Sequence, residues 1–406
     1  MFAMFIAMER SLRAARVATF TYFILNGTLL GMWVVQIPPV EERVGISHAV
    51  LGGFLVLLGL GAFLGMQVAG PLADRLGTRT VVPASALLCA ATLVLPGLAT
   101  APWALGVALL VFGFANGCLD VSMNAHAVQV EKAYGRPVMS AFHATFSVGG
   151  VLAALAGAAA AGGSLSPATT LGAAGAVGAV VAVAASRSLL PAPAAAPADS
   201  PAGDGATGSG ATPTRIWLLA VLALMIMLCE GVANDWSVLH LRTVLGASES
   251  TAAFAYGSFA AAMTIGRLLA DRVSARFGPA AILRYGAGAA AVGVTAVALS
   301  PWVPLALAGW AVFGAGLSGC VPQLFSAAGH AEEGAAGANV SRVAGLGYLG
   351  MLAGPAVIGW LTHLVPLDVT FFLPALCCLV AAATAGVLRT PRSAAPARPS
   401  EVGTTG

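Results

Sequence analysis

The feature that most constrains this chain is a series of twelve apolar runs of about 20 residues, separated by short segments that hold most of the ionisable residues. Such a run crosses the ~30 Å hydrocarbon core of a bilayer as an α-helix. Only 9% of the 406 residues are charged and 58% are hydrophobic, which is too little polar surface to cover a water-soluble globule. Strand-sized alternation is absent, which argues against a barrel. The sequence therefore predicts an all-α integral membrane protein with twelve transmembrane helices.

The chain contains two similar halves. The segment Gly70-Pro-Leu-Ala-Asp-Arg75 is followed about 200 residues later by Gly266-Arg-Leu-Leu-Ala-Asp-Arg272, so that Asp74 corresponds to Asp271 and Arg75 to Arg272. A second, shorter repeat relates Val111-Phe-Gly113 to Val312-Phe-Gly314. Internal repetition of this kind is common among membrane transport proteins. It predicts two pseudo-symmetric bundles of six helices.

The apolar runs set the predicted boundaries. The spans fall at residues 17–37, 50–69, 80–99, 102–128, 137–161 and 167–186, and then at 216–239, 252–270, 279–299, 302–326, 338–361 and 369–388. The predicted organisation is an N-terminal segment 1–16, a bundle 17–186, a flexible linker 187–214 rich in Pro, Ala, Gly and Ser, a bundle 215–388 and a disordered tail 389–406. Of the nineteen Lys and Arg residues, Arg43 and Arg242 alone fall on one side of the membrane. The positive-inside rule therefore predicts a cell (cytoplasmic) membrane protein with both termini and the linker in the cytoplasm.

The composition also indicates what the chain lacks. All six cysteines lie inside predicted spans without the spacing of a metal or redox site, so we interpret them as packing residues and expect no metal and no cofactor. No basic run suggests nucleic acid. The sequence has no nucleophile motif and no H-E-x-x-H pair, so we expect no catalytic residues and no enzymatic activity.

The motif after the second span carries a family resemblance. Gly70, Leu72, Asp74, Arg75, Gly77 and Arg79 match G-x-L-x-D-R-x-G-[RK]-[RK], with Thr78 departing at one basic position. In this respect, and over nearly its whole length, the chain resembles the major facilitator superfamily. The resemblance implies that Asp74 caps the cytoplasmic start of span 11 near Arg342. It also implies a gating role for the motif residues Gly70, Asp74, Arg75, Gly77 and Arg79 and for Asp271, Arg272 and Arg342.

Within that superfamily, four stretches look more like the YbjJ-like branch than like the drug antiporters. They are Asp120-Val-Ser-Met-Asn124, His143-Ala-Thr-Phe-Ser147, Glu230-Gly-Val-Ala-Asn-Asp-Trp236 and Gly347-Tyr-Leu-Gly-Met-Leu-Ala-Gly-Pro355. The antiporter motifs, R-x-x-Q-G in span 4 and a glycine-proline pair in span 5, are absent. Gln36 departs from the branch, because a basic residue is expected near the end of span 1.

Asp120 is the first candidate for the chemistry of transport. An aspartate at the centre of a transmembrane helix costs roughly +2.5 to +3.5 kcal/mol on insertion scales, so such residues usually serve a function. Asn116, Asp120 and Asn124 follow one another at four-residue spacing and form one polar stripe on span 4. We expect this stripe to face a watery cavity. The alternative is a polar clasp between helices with no role in transport.

His143 and Glu230 are the next candidates. His143 is expected at a depth similar to that of Asp120, with which it would share a proton; the alternative is a hydrogen bond to a backbone carbonyl. In the superfamily, spans 1, 4, 7 and 10 line the cavity, so Glu230 and Asn234 of span 7 are expected to bind substrate or a proton. The alternative for Glu230 is a structural pair with Asn26 or another polar group.

Other polar and aromatic residues are weaker candidates. Gln36, Gln67 and Gln323 are candidate hydrogen-bond donors to a ligand. Trp33 and Tyr348 are expected mainly to pack; the alternative is that they stack on a substrate. Arg267, Arg272 and Arg342 are assigned to the cytoplasmic gate. The predicted cavity then holds Asp120 and Glu230 but no Lys or Arg, which favours a neutral polar or cationic solute.

The resemblance implies a secondary active transporter that works by alternating access. We expect a small-molecule substrate, coupling to protons, surrounding membrane lipid and a monomeric chain. The alternatives are an efflux pump for an apolar or drug-like product and a membrane sensor that transports nothing.

Overall fold

The computed structural model describes residues 2–46, 48–191, 214–332 and 334–389, and in these ranges the regular structure consists of helices with no strand. Twelve helical spans, from Arg10–Val44 to Leu367–Leu388, are long and apolar enough to cross a membrane. The predictions of an all-α fold and of twelve spans are confirmed.

The first half contains seven helices that make six spans. They are α1 (Phe2–Val44), α2 (His48–Leu76), α3 (Thr78–Thr92), α4 (Val94–Leu98), α5 (Pro102–Tyr134), α6 (Met139–Gly162) and α7 (Pro167–Ser186), of which α3 and α4 share the third span.

The second half repeats this arrangement. Its helices are α8 (Thr214–Thr243), α9 (Glu249–Phe277), α10 (Pro279–Ala298), α11 (Val303–Leu317), α12 (Cys320–Gly329), α13 (Ala336–Leu361), α14 (Leu367–Thr370) and α15 (Phe372–Thr384), followed by a 3-10 helix at Ala385–Leu388. The pair α11 and α12 forms the tenth span, and α14, α15 and the 3-10 helix form the twelfth.

Several helices extend beyond the apolar runs. The helix α1 does not stop at Pro38 and Pro39 but passes through both to Val44. The motif that starts at Gly70 is mostly helical, because α2 continues to Leu76 and breaks only at Gly77, whose φ of 81° favours glycine. In the second half the break comes at Gly278, with φ of 84°, so the stretch that follows Asp271 is one helical turn longer.

The predicted terminal and linker segments are only partly described. Residues 10–16, expected to precede the first span, belong to α1. Most of the predicted linker and tail, at 192–213 and 390–406, lies outside the described residues. The domain boundaries therefore stay predictions.

Small residues set the distance between paired helices. A Cβ on Gly113 of α5 would overlap the Leu58 carbonyl oxygen of α2, and a Cβ on Gly350 of α13 would overlap the Leu224 carbonyl oxygen of α8. Close backbone approach at small residues is the usual basis of helix packing in membranes. The close approach at these glycines makes each half a tightly packed unit.

Because successive spans alternate in direction, α2, α5 and α7 end on the side where α8 begins. The segment that joins the halves also leaves and returns on this side, so we call it the linker end. The opposite side is the far end.

Candidate functional site

Polar side chains from both halves lie together between the bundles. This central cluster consists of Asp120 and Asn124 of α5, His143 of α6, Glu230 of α8, Arg267 of α9 and Tyr348 of α13. Polar groups in this position are the usual sign of a transport pathway.

Asp120 is buried, with 5% of its surface exposed, and its Oδ2 atom has no hydrogen-bond partner among the described residues. The side chain of Tyr348, from the other half, lies close enough to interact with it electrostatically. A buried carboxyl oxygen without a partner is costly. Asp120 is therefore poised to receive a proton or a donor group.

The polar stripe on α5 does not face open water as expected. Asn116 and Asn124 are also buried. Asn116 donates to the Asn26 side-chain oxygen at 2.8 Å, and Asn124 donates to the Asp120 backbone oxygen at 2.9 Å. The stripe is covered because α5 packs against α1, α2 and α13. A polar contact between helices therefore exists in this stripe, but it is formed by Asn116 and Asn26 and not by Asp120.

His143 contacts Asn124 rather than Asp120. Its Nε2 atom lies 3.1 Å from the Asn124 side-chain oxygen, and since an amide oxygen only accepts, the ring nitrogen is the donor. The ring packs edge-on against Phe23 and Phe325, at centroid distances of 5.3 and 5.8 Å. The expected sharing of a proton between His143 and Asp120 is not matched by a described hydrogen bond between the two side chains, because Asn124 joins the His143 ring to the backbone oxygen of Asp120 and not to its carboxyl group.

Glu230 is paired with Arg267. An Arg267 Nη2 atom lies 3.2 Å from Glu230 Oε1, and the two side chains are only 14% and 16% exposed. The assignment of Arg267 to the gate was wrong, as was the expectation of a cavity without a cation. The helix α9 continues ten residues beyond Arg267, which places this residue about 15 Å from the helix end at ~1.5 Å per residue.

The remaining predicted ligand donors stand apart from the central cluster. Gln36 is buried near the far end of α1, Asn234 is half-buried one turn beyond Glu230, and the contacts that the structure describes join neither to the cluster. Gln323 accepts a hydrogen bond from Ser274 at 3.0 Å, and Gln67 donates to the Ser341 backbone oxygen at 3.3 Å. Trp33 is 1% exposed and packs in the core.

Two aspartates join the halves at the linker end. The Asp74 carboxylate accepts hydrogen bonds from the backbone N–H groups of Gly337 and Ala338, at 2.7 and 2.8 Å. The Asp271 carboxylate accepts from those of Ser140 and Ala141, at 3.0 and 2.7 Å. Each carboxylate sits at a helix N-terminus, where the helix dipole stabilises negative charge. We call these four hydrogen bonds the linker-end latch.

The other predicted gate residues contribute less directly. Asp74 lies where the resemblance places it, and Arg342, which donates to Asn339 at 3.0 Å, is close enough to attract it. Gly70 lets α2 approach α13, since a Cβ there would lie 2.6 Å from the Gly337 carbonyl oxygen. Gly77 ends α2. The side chains of Arg75, Arg79 and Arg272 are exposed.

Sequence reasoning missed a second set of contacts at the linker end. Glu131 accepts from the backbone N–H groups of Val138 and Met139, at 2.9 and 3.0 Å, and also from the Ser326 hydroxyl of α12. Lys132 donates to the Gly329 backbone oxygen at 3.0 Å. These contacts join α5 to α12. The only signal in the sequence was the position of Glu131, shortly before a helix start.

The cysteines lie closer together than their spacing suggests. The thiols of Cys229 and Cys378 are 3.8 Å apart and Cys377 adjoins them, all as free thiols. Within the described residues, no group of three or more His, Cys, Asp or Glu side chains is arranged to hold a metal ion.

Comparison with known proteins gives consistent matches. The model of the Major Facilitator Superfamily matches residues 17–331 and 219–405. An uncharacterized MFS-type transporter of Yersinia pestis is 36% identical over 373 residues, which are 91% of this chain and 94% of the relative. The membrane protein MosC of Rhizobium meliloti is 30% identical over 348 residues, with coverage of 85% and 83%.

Among solved structures, the transporter FucP in the outward conformation superposes with a TM-score of 0.74. It is 17% identical, and the match covers 92% of this chain and 98% of FucP. At this identity the likeness concerns the fold alone.

Proposed function

Since this chain belongs to the major facilitator superfamily, a family of membrane transporters rather than enzymes, we propose that it is a secondary active transporter of a small neutral polar or cationic solute. The two halves would rock about the central cluster and expose it to one side of the membrane at a time. The observation that carries this proposal is the buried Asp120 carboxyl, with an unpartnered oxygen, at the boundary between the halves.

The charges of the central cluster support proton coupling. Arg267 neutralises Glu230, which leaves Asp120 as the carboxyl of the cluster that has no cation beside it among the described residues. An ionised carboxylate in such a site is costly, so it either takes up a proton or meets a positive or donor group of the solute. A net negative solute would be repelled. The sequence prediction assumed a cavity without a cation, which Arg267 contradicts. Because Arg267 is paired with Glu230, the preferred solute is still neutral and polar or cationic.

The latch suggests which step of the cycle the structure represents. The contacts of Asp74, Asp271, Glu131 and Lys132 close the linker end. With both termini and the linker in the cytoplasm of a cell-membrane protein, as the positive-inside rule indicates, this state would deny a solute access to the central cluster from the cytoplasm.

The proposal also covers the branch of the superfamily, the working unit and the alternative functions. The stretches around Asp120, His143, Glu230 and Tyr348 support a place in the YbjJ-like branch, and we propose a monomer as the working unit. The polar lining of the central cluster argues against efflux of an apolar or drug-like product. A sensor without flux would share this fold, and a flux assay separates a sensor from a transporter.

The test is transport by purified protein in proteoliposomes under an imposed pH gradient, with a pH-sensitive dye reporting proton movement as polar and cationic solutes are added. Wild-type protein should couple a solute to proton movement. The Asp120→Asn variant should bind or exchange that solute without the proton movement. The matched control is Asp368→Asn, an acid near the far end and outside the central cluster. Unchanged proton coupling in Asp120→Asn would refute the role given to Asp120.

A further inference from the structure

A basic cavity opens on the surface of the second half at the linker end. It has a volume of about 810 Å³ and lies where α9 ends, α10 begins and the last 3-10 helix ends. Arg284 and Arg389 line it together with Tyr285, and none of the described residues that line it is acidic. The Tyr285 side chain is 73% exposed, so the cavity is open to its surroundings.

Two apolar grooves continue from this cavity along the helices. The first, of about 420 Å³, shares Phe277, Ala281 and Tyr285 with the cavity and runs between α9, α10 and α11 as far as Gly266. From Phe277 to Gly266 is about 16 Å at ~1.5 Å per residue. The groove therefore starts at the interface and reaches toward the middle of the membrane.

The second groove leaves the other side of the same cavity. It has a volume of about 400 Å³, shares Arg284 with the cavity and runs between α8 and α15 as far as Met225. Its lining is otherwise mainly aliphatic, from Leu218 and Val221 to Val380. The cavity thus has one polar compartment at the membrane interface and two apolar channels that lead from it.

We infer that this site binds one anionic diacyl phospholipid, with the phosphate between Arg284 and Arg389 and one acyl chain in each groove. The guanidinium group presents a planar fork of donors that matches phosphate oxygens. Basic pockets between transmembrane helices suit anionic headgroups, and an alkyl chain gains ~0.8 kcal/mol for each CH₂ that it buries. A free anion would use the cavity but leave both grooves unfilled.

The charge of the surroundings favours an anionic over a zwitterionic lipid. Arg272 and Arg276 are exposed on the same end of α9 and add positive potential near the cavity. A choline or ethanolamine group would bring a further positive charge to a site whose described lining contains two arginines and no acid. A headgroup with a net negative charge avoids this repulsion.

The test is native mass spectrometry of the delipidated full-length protein, titrated with phosphatidylglycerol or with phosphatidylcholine. Wild-type protein should retain one phosphatidylglycerol in preference to phosphatidylcholine. In Arg284→Gln/Arg389→Gln, the affinity for phosphatidylglycerol should fall about fivefold for each arginine, or roughly 25-fold. The control Arg136→Gln/Arg187→Gln removes two exposed charges from the same end of the first half and should behave as wild type.

A second comparison tests the grooves. Ala383→Trp fills the groove beside α15 and should weaken phosphatidylglycerol binding several-fold, while glycerophosphate, which has no chains, should bind weakly to both proteins. Two outcomes overturn the inference: equal retention of both lipids by wild-type and doubly substituted protein, or glycerophosphate binding as tight as that of the lipid. The assay reads lipid binding and is independent of any transported solute.

Discussion

The guanidinium group of Arg267 and the carboxylate of Glu230 form an ion pair of 3.2 Å between adjacent helices of the second half, with both side chains more than four-fifths buried. Arg267 precedes Asp271 by four residues, just as Gly70 precedes Asp74. Gly70 and Arg267 therefore occupy equivalent positions of the two repeats but have different roles. Glycine lets two halves approach, whereas arginine neutralises an acid of the central cluster.

The first prediction concerns this ion pair. Removing one partner leaves a buried charge uncompensated, which typically costs about 3–5 kcal/mol. Glu230→Gln and Arg267→Gln should each lower the unfolding midpoint in detergent markedly. The double variant should lose less than the sum of the two, with a coupling of about 1–3 kcal/mol. Strictly additive losses would show that the two groups do not stabilise each other.

The second prediction concerns the linker-end latch. Asp74→Asn and Asp271→Asn each weaken two hydrogen bonds to a charged acceptor, and such bonds contribute about 1.5–3 kcal/mol each. The double variant should populate a state with an open linker end. Distances between spin labels at exposed Arg79 and Arg276 should then lengthen. The Asp368→Asn variant serves as control, and an unchanged distance distribution in the latch variant would contradict the prediction.

The third prediction uses steric exclusion instead of charge. A Cβ at position 70 would meet Ser341 and lie 2.6 Å from the Gly337 carbonyl oxygen. Gly70→Ala should therefore keep the linker end from closing and raise its accessibility to thiol reagents at an introduced cysteine. Gly257→Ala is the matched control, because a Cβ there has nothing within 4 Å and gains up to ~1 kcal/mol of helix propensity. Equal accessibility in the two variants would be the contrary result.

The fourth prediction concerns Thr78, where the chain departs from the family motif. Thr78 is 2% exposed, donates to Gln129 at 2.9 Å and lies 2.8 Å from the His126 ring nitrogen. Restoring the basic residue with Thr78→Arg would bury a charge among neutral groups, at a cost of several kcal/mol. We expect a much lower unfolding midpoint. Thr80→Arg, at an exposed position, should change it little, and similar midpoints for both variants would contradict this explanation.

The spans were predictable because hydropathy reports directly on the hydrocarbon core. The sixth span was predicted at residues 167–186, and the helix in the structure is Pro167–Ser186. Where a helix has a polar end, the predicted span was too short. For example, α9 continues seven residues past the predicted boundary, to Phe277. A helix satisfies its own backbone hydrogen bonds, so it continues into the interface where apolar residues stop.

The pairing of side chains was harder to predict. Asp120 and Glu230 could be selected because carboxyl groups inside a span are costly. Their partners depend on the rotation and depth of neighbouring helices, which no local pattern encodes. Arg267 was therefore assigned to the gate because it is close to the polar motif, and His143 was expected to share a proton with Asp120, whereas its ring is hydrogen-bonded to the Asn124 side chain. The repeat related Asp271 to Asp74 in the sequence, but only Asp74 was expected to cap a helix.

The contacts of Asp74 and Asp271 have a consequence for how such proteins diverge. Both carboxylates bind main-chain N–H groups, so the side chains at positions 140, 141, 337 and 338 carry no part of these hydrogen bonds. Gly337 is fixed by its close approach to α2, since a Cβ there would overlap the Gly70 carbonyl oxygen, but the side chains at positions 141 and 338 can vary during evolution while the contact persists. Proline is the exception, because it has no N–H to donate. Covariation between side chains would leave this junction undetected.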